Sequence, residues 1–328
     1  MNSSKAFRNL HLDLKKKKLI QPVFLQKNDT VAIVSTARKI SLSAIKPAVD
    51  LLKSWGLNIE IGNTIGLEEN QYAGSDSERA KDFQKMLNDT KIKAIWCARG
   101  GYGTVRIIDQ MDFTEFKNNP KWIIGYSDVT ILHSHLQKLG YQTLHATMPV
   151  NVETNSEEAI NSLKKTLFGE PLSYKISSSK ENKSGIAKGV LVGGNLSIIY
   201  SLLGSDSSIK TDEKILFIED LDEYLYHIDR MLINLKRNGY FDNLKGLIVG
   251  GMTDLHDNSI PFGKNAKEII LNTVSEYDFP VVFDFPSGHL NDNRALVLGC
   301  EVELEVEKDF SKIRFLPSQE RQLYGYTQ

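Results

Sequence analysis

The sequence predicts an α/β protein with two domains. Its 328 residues exceed the usual size of one domain, which is about 100 to 200 residues. In the first half, short apolar runs alternate with segments whose apolar residues recur every three to four positions, the pattern of strands and helices in turn. The expected units are an N-terminal basic extension (1–19), an N-terminal α/β domain (20–168), a polar linker without periodicity (169–188) and a C-terminal domain (189–328).

The first domain is predicted to hold a mainly parallel sheet with helices on both faces, because its strands and helices alternate. Apolar runs that indicate buried strands occupy residues 31–35, 57–61, 94–98 and 123–124. Helical spacing predicts helices over 45–52, 78–87 and 129–139. Ser75 or Ser77 is the expected N-cap of the second helix.

The second domain opens on a glycine-rich apolar segment and continues with both strand and helix patterns. Buried strands are predicted over 215–218, 247–249 and 281–283. Helices are predicted over 196–203, around 228–235 and over 266–274. The alternation of Val302, Leu304 and Val306 is typical of a half-exposed antiparallel strand.

Composition and charge are those of a soluble globular protein. Hydrophobic residues make up 41% and charged residues 25%, enough for a full core. The net charge of −1 favours neither nucleic acid nor an anionic membrane, and no apolar run approaches the roughly 20 residues that cross a bilayer. Cys97 and Cys300 form no Cys-x-x-Cys pair, so we expect no disulfide framework, no zinc site and a reducing compartment. The N-terminus lacks the apolar core of a signal peptide, and the lysine run at 15–18 is expected to be solvated.

A serine stands at the corner between a predicted strand and a predicted helix. Ser127 follows an apolar run and Gly125, and helical spacing begins at once. In α/β enzymes such a corner can lift a serine out of the sheet as a nucleophile, with backbone N–H groups beside it for a developing oxyanion. A serine there is also a good helix N-cap, so the interpretation depends on the rest of the chain.

Two further predicted strands end in groups that can activate a serine. Glu219 follows the strand at 215–218, and His289 follows the strand at 281–283 through a Pro-Ser-Gly turn. Sites form at the carboxyl ends of strands in open α/β sheets, and serine, histidine and a carboxylate are the parts of a base-activated nucleophile.

Each of these groups also has a structural interpretation. Glu219 can be an acid favoured by a helix dipole, and His289 can be a surface histidine in a turn. Three acids compete with Glu219 for its role: Asp220, Asp222 and Glu223. Other histidines are weaker candidates. His133 and His135 do not share a helix face and so make a poor metal pair, and His145 and His256 are isolated in the sequence.

A glycine-rich loop, Arg-Gly-Gly-Tyr-Gly at 99–103, follows the strand at 94–98. Glycines there let the backbone approach a ligand and leave N–H groups free to point at an anion. The natural oxyanion donors are the amide of Asp128 and one amide of the Gly100-Gly101 turn. The loop matches neither the P-loop nor the full dinucleotide fingerprint, which disfavours phosphate or dinucleotide binding.

Five motifs in this order resemble the LD-carboxypeptidase family, the serine peptidases that include muramoyltetrapeptide carboxypeptidases and microcin C self-immunity peptidases. The likeness covers the chain from about residue 20 to about residue 316. The motifs are Arg-Gly-Gly-Tyr-Gly at 99–103, Gly-Tyr-Ser-Asp at 125–128, Gly-Gly-Asn-Leu at 193–196, Ile-Glu-Asp at 218–220 with Ile-Asp-Arg-Met-Leu at 228–232, and Ser-Gly-His at 287–289.

The resemblance implies a triad of Ser127, His289 and Glu219, with an oxyanion hole made by the backbone amides of Asp128 and Gly101. A carboxypeptidase must also hold the terminal carboxylate of its substrate, which a bidentate guanidinium can do. The residues expected to bind substrate are Arg99, Gly100, Tyr102 and Arg294. Either arginine can instead belong to a structural ion pair.

The resemblance also implies the fold and the reaction. The expected fold is an N-terminal flavodoxin-like domain with a parallel sheet and a C-terminal domain of mixed β and α structure, with the active site in the cleft between them. The expected reaction releases the terminal D-alanine of murein tetrapeptides in the cytoplasm during cell-wall recycling. The enzyme is expected to be a homodimer that uses no metal or cofactor and binds neither nucleic acid nor membrane.

Three alternative functions stay open. The first alternative is an immunity-type peptidase that uses the same triad on aminoacyl-nucleotide antibiotics. The second is a non-enzymatic ligand-binding protein with Ser127 as an N-cap, and the third is a cysteine enzyme, which the place of Cys97 inside an apolar strand disfavours.

The sequence departs from the pattern of the family at two places. Asn28 replaces a glycine of the family and tolerates the same left-handed backbone. The segment 220–227 lacks an expected proline, which bears on specificity.

Overall fold

The computed structural model describes residues 19–316, which form two β-sheets. The lysine run at 15–18 lies outside the described residues. The first sheet contains β1 (Thr30–Val34), β2 (Asn58–Ile61), β3 (Ile92–Cys97), β4 (Trp122–Gly125), β5 (Thr143–His145) and β11 (Leu296–Leu298). The parallel order β2-β1-β3-β4-β5 is that of flavodoxin-like sheets, so the predicted parallel sheet is confirmed. β11 pairs with β5 in the antiparallel sense.

Helices cover both faces of the first sheet because successive strand residues point to opposite sides. These helices are α1 (Leu42–Ser54), α2 (Asp76–Asn88), α3 (Thr130–Leu139) and α4 (Glu157–Leu167). Val31 and Ile33 of β1 lie in one buried cluster with α1 and α4, whereas Ala32 and Val34 lie in another with α2 and α3. Ser75 is the N-cap of α2 and forms a capping box, as one of the two predicted options.

The second sheet is half parallel and half antiparallel. Its strands are β6 (Ser173–Ser177), β7 (Gly185–Asn195), β8 (Lys214–Leu221), β9 (Gly246–Thr253), β10 (Val281–Val282), β12 (Glu301–Val306) and β13 (Phe310–Phe315). The order is β10-β9-β8-β7-β12-β13-β6, with parallel pairing from β10 to β7 and antiparallel pairing beyond. The helices that accompany it are α5 (Leu196–Ser201), α6 (Leu225–Arg237) and α7 (Ala266–Thr273).

The two sheets share one apolar core. Leu191, Ile215 and Phe217 of the second sheet belong to the same buried cluster as Val31 and Trp96 of the first. The other face of the second sheet packs against α5, α6 and α7 in a separate cluster. The shared core fixes the strand ends of both sheets around one cleft.

The expected linker, residues 169–188, is not wholly irregular. It contains β6, which pairs with β13, and the first residues of β7. Only Tyr174 and Ile176 of β6 are apolar, so its alternation was too short to separate from the polar surroundings. Asn28 has φ +72, the left-handed conformation expected for it. Within residues 19–316, no helix is long and apolar enough to cross a membrane.

Candidate active site

Ser127 occupies a strained corner between β4 and α3. β4 ends at Gly125, a 3₁₀ turn spans Ser127–Val129, and α3 begins at Thr130. Ser127 has φ +62, a left-handed conformation that costs an L-residue roughly 1–2 kcal/mol. Strain of this kind at a strand-to-helix corner is typical of an exposed nucleophile.

Glu219 and His289 form a close hydrogen-bonded pair. Glu219 lies near the end of β8 and is 0% exposed. Its Oε2 lies 2.6 Å from His289 Nδ1 and also accepts from the His289 backbone N–H at 3.2 Å. An ionised carboxylate only accepts hydrogen bonds, so Nδ1 carries the proton and Nε2 has a lone pair available as a base. This is the arrangement in which a carboxylate fixes the tautomer of a catalytic histidine.

Gly288 allows this close approach. It has φ +104, and a Cβ placed there would lie 2.7 Å from Glu219 Oε2. A larger residue would push the carboxylate away from the imidazole. The glycine of the Ser-Gly-His turn is therefore required for the position of the pair.

Opposing effects set the pKa of His289. Burial alone lowers it, but the charge and hydrogen bond of Glu219, with a contribution from Asp220, outweigh burial and raise the pKa of His289 above its ordinary value. Asp220 is itself buried, and burial together with the neighbouring Glu219 raises the pKa of Asp220 to about 7. Its carboxylate accepts from Asn195 Nδ2 at 2.9 Å and from the Ser197 backbone N–H at 2.8 Å. These bonds hold the end of β8 beside the end of β7.

The glycine-rich loop lies directly beside Ser127. A Cβ placed on Gly100 would lie 3.2 Å from Ser127 Oγ and 3.5 Å from the backbone nitrogen of Asp128. The buried Asp128 carboxylate accepts from the Thr104 backbone N–H at 2.9 Å, and burial raises the pKa of Asp128. The side chain of Asp128 thus connects the glycine-rich loop to the serine corner.

A buried arginine donates hydrogen bonds to the same loop. Arg79 of α2 is 0% exposed. It donates to the carbonyl oxygens of Thr36 at 2.7 Å and Gly103 at 3.0 Å, and it forms an ion pair with Asp76. The contacts connect the loop after β1 with the loop after β3.

One cavity of about 520 Å³ brings most of the predicted site residues together. Six of the predicted site residues line this cavity: Ser127, His289, Arg99, Gly100, Gly101 and Tyr102. Glu219 lies behind His289, and Asp128 is buried next to Ser127. Within residues 19–316, Ser127 Oγ has no hydrogen-bond partner, a common state of catalytic hydroxyls before substrate binds.

Arg294, predicted as a second candidate for binding the substrate carboxylate, lies away from this cavity in a pair with Asp292. Its guanidinium bonds Asp292 through Nε at 3.0 Å and through Nη2 at 2.8 Å, and lies 5.9 Å from the ring centre of Tyr174. It is not among the residues that line the cavity. The ion pair was the other interpretation of this arginine.

The alternative nucleophile is inaccessible. Cys97 is 0% exposed within β3, and burial raises the pKa of its thiol to about 12. A buried, protonated thiol is unreactive. His133 and His145 are also 0% exposed, and burial lowers the pKa of each. Among residues 19–316, no three His, Cys, Asp or Glu side chains cluster so that they could hold a metal ion.

Sequence reasoning missed several residues of the cleft. Its further lining includes an arginine after β1, an aromatic residue beside the serine, and polar groups at the end of β7: Arg38, Tyr126, Asn195 and Ser197. Asp222 and Glu223, from the segment that the sequence analysis connected with specificity, also line the cleft. Tyr126 packs on His289 with ring centres 4.9 Å apart, and its hydroxyl donates to Asn151 Oδ1 at 3.1 Å. The rule that sites lie at the carboxyl ends of strands, applied to β1 and β7, would have pointed to Arg38 and Asn195.

The fold and the site define a two-domain α/β serine hydrolase. The chain belongs to the LD-carboxypeptidase family of serine peptidases: residues 31–146 match its N-terminal domain and residues 188–304 match its C-terminal domain. The family membership expected from the five motifs is thereby confirmed, and the enzyme class is that of a serine-type LD-carboxypeptidase.

Relatives agree with this assignment, and solved structures share the fold. The chain is 35% identical over 297 residues to a probable murein peptide carboxypeptidase of Bacillus subtilis, covering 87% of this chain and 91% of the relative. It is 24% identical to the murein tetrapeptide carboxypeptidase of Pseudomonas aeruginosa, covering 84% and 92%. Two solved structures share the fold with a TM-score of 0.79. They are muramoyltetrapeptide carboxypeptidase from Oxalobacter formigenes (24% identity, covering 88% of this chain and 99% of that one) and an inactive mutant of the microcin C7 self immunity protein without ligand (22%, covering 90% and 98%).

Proposed function

We propose that this protein hydrolyses the L,D peptide bond at the C-terminus of murein tetrapeptides and releases the terminal D-alanine, a step of cell-wall recycling. Family membership and the names of the relatives support the reaction. The observation that carries the proposal is the geometry of one cleft, where a strained Ser127 and a histidine paired with a buried carboxylate face the same cavity.

The proposed mechanism is that of a base-activated serine. His289 Nε2 takes the proton of Ser127 Oγ as the serine attacks the carbonyl carbon, and Glu219 stabilises the imidazolium that results. The backbone amides of Asp128 and Gly101 donate to the oxyanion, a contribution that is typically about 10²–10³ in kcat for one donor. His289 then protonates the leaving amine of D-alanine. Water, activated by the same histidine, hydrolyses the acyl-enzyme.

The terminal carboxylate of the substrate is proposed to bind at the arginine side of the cleft. Arg99 and Arg38 both line the cavity next to Gly100 and Gly101. The Arg38 side chain lies against Gly101, where a Cβ would come within 2.6 Å of Arg38 Cδ. A guanidinium beside the proposed oxyanion amides can hold the carboxylate that lies one residue beyond the cleaved bond.

The experiment that tests this function compares four tetrapeptides that differ only in stereochemistry at the last two residues. With L-Lys or an L-centred diamino acid followed by D-Ala, we expect release of free D-alanine. The L,L, D,D and D,L peptides are expected to release alanine at least about 100 times more slowly. Equal cleavage of all four peptides, or of none, would contradict the proposal.

A second candidate substrate is an aminoacyl nucleotide. Tyr102 favours this candidate. It lines the cavity and is 46% exposed, so its ring is open for stacking on a base. An aspartyl or glutamyl sulfamoyl nucleoside tested beside the tetrapeptides separates the two candidates. Preference for the nucleoside would replace the murein reaction as the function.

We also propose that the enzyme is a cytoplasmic homodimer, as the family resemblance implies. Light scattering of the purified full chain gives its mass in solution, which we expect to be twice the 36.9 kDa of one chain. Cell fractionation with periplasmic and cytoplasmic markers tests the location. A monomer would contradict the proposed dimer, and enzyme outside the cytoplasmic fraction would contradict the proposed location.

A further inference from the structure

The cleft carries opposite charges on its two walls. Arg38 and Arg99 follow β1 and β3 of the first sheet, whereas Asp222 and Glu223 follow β8 of the second sheet. All four residues line the cavity that also contains the proposed nucleophile and base. A peptide that reaches the serine therefore lies between a basic wall and an acidic wall.

Histidines hold both acids of the acidic wall in place. Asp222 Oδ1 lies 2.6 Å from His256 Nε2, and Glu223 Oε2 lies 2.5 Å from His227 Nδ1. The second oxygen of each carboxylate forms no hydrogen bond or ion pair with any residue from 19 to 316. Both carboxylates are thus oriented by one oxygen while the other remains available to a ligand.

The charge pattern matches a substrate with a negative end and a positive side chain. In the proposed reaction the basic wall holds the terminal carboxylate of D-alanine. The residue before it then faces the opposite wall, where Asp222 and Glu223 attract a cation and repel an anion. We propose that these two acids select a side chain that ends in a primary amine without a neighbouring carboxylate, as in L-lysine, over meso-diaminopimelate.

The contrast between the two side chains lies at their ends. Lysine ends in one positive charge, whereas meso-diaminopimelate ends in an amine and a carboxylate with no net charge. The extra carboxylate would face two acids of like charge. Ion pairs at partly exposed sites are weak, so we expect about a 3-fold effect on kcat/KM for one acid and about 10-fold for both.

This inference rests on the proposed function, and the test separates the two. Four tetrapeptides are compared by D-alanine release: with L-Lys, with meso-diaminopimelate, with meso-diaminopimelate amidated at its side-chain carboxyl, and with N-ε-acetyl-lysine. The L-Lys and amidated peptides are expected to react about 10 times faster, by kcat/KM, than the other two. The double variant Asp222→Asn/Glu223→Gln is expected to bring all four within about 2-fold.

The substitutions remove charge at positions where the backbone accepts the new residue. Asp222 has φ +58, a conformation that asparagine tolerates, so the substitution removes charge without new strain. Asp206→Asn is the matched control, because its side chain is 99% exposed and does not line the cavity; it should leave the preference unchanged. Melting temperatures confirm that each variant is folded.

Two results would overturn the inference while leaving the reaction intact. One is a wild-type enzyme that cleaves the meso-diaminopimelate peptide as fast as the L-Lys peptide. The other is a folded double variant that keeps the wild-type preference. Failure to release D-alanine from any of the four peptides would instead refute the proposed function.

Discussion

Glu219→Gln tests how the buried carboxylate controls the proposed base. In the wild type, Glu219 Oε2 accepts from both Nδ1 and the backbone N–H of His289, at 2.6 and 3.2 Å, in a fully buried position. Glutamine keeps the shape but removes the charge. Its amide group can also donate to Nδ1, which places the imidazole proton on Nε2, where it blocks proton abstraction from Ser127.

The expected loss in kcat is about 10³–10⁴, because the charge and the tautomer change together. At 1.36 kcal/mol for each factor of ten, this equals about 4–5.5 kcal/mol of transition-state stabilisation. KM should change little, since Glu219 lies behind His289 and does not line the cavity. The assay is the initial rate of D-alanine release from the L-Lys tetrapeptide.

The pH profile gives a second readout of the same variant. His289 acts as a base only when neutral, and its pKa lies above the ordinary value because of Glu219 and Asp220. Wild-type kcat/KM should therefore rise with pH through a pKa above that of an ordinary histidine. In Glu219→Gln, burial acts with less opposition, so the residual activity should reach its plateau at lower pH.

A matched control is Glu276→Gln, which removes a carboxylate that is 61% exposed and pairs only with Lys236 among the described residues. It should leave both rate and profile unchanged. A folded Glu219→Gln enzyme with kcat within about 5-fold of the wild type and an unshifted acid limb would refute the role given to the carboxylate.

Three further substitutions test the geometry of the site. Ser127→Gly should abolish D-alanine release yet be about 1 kcal/mol more stable to urea than Ser127→Ala, because glycine adopts φ +62 without strain; equal stability would show that the corner is unstrained. Gly288→Ala should lower kcat by at least about 100-fold, since its Cβ would lie 2.7 Å from Glu219 Oε2, and activity near the wild-type rate would contradict that packing. Tyr126→Phe should keep most of the activity, whereas Tyr126→Leu, which loses the ring 4.9 Å from His289, should lower kcat about 10-fold with little change in KM. Equal rates for the two variants would mean that the ring does not position the histidine.

The sequence predicted the parallel sheet correctly and selected three candidate site residues because local signals were strong. The predicted strands end shortly before Ser127 and directly before Glu219, and the Ser-Gly-His turn leads to His289, so a rule about strand ends was sufficient to select these residues. In the structure β8 continues through Glu219 to Leu221. α4 was omitted although Ser156 caps it and Ala159, Leu163 and Leu167 lie at helical spacing.

Other features depend on contacts that no local pattern encodes. β5 and β11 have three residues each, and β11 crosses from the second half of the chain to pair with β5. The place of Arg38 in the cleft, and of the acidic wall opposite it, depends on how the two sheets meet. The ion pair of Arg294 with Asp292 was one of two open interpretations, and no local pattern of the sequence reveals that contact.

The serine itself is the most direct test of the account. Initial rates of D-alanine release from the L-Lys tetrapeptide are measured for the wild type and for Ser127→Ala, with melting temperatures to confirm that both are folded. The account predicts release by the wild type and a loss of about 10³-fold or more in the variant. Release by a folded Ser127→Ala enzyme at a rate near that of the wild type would contradict it.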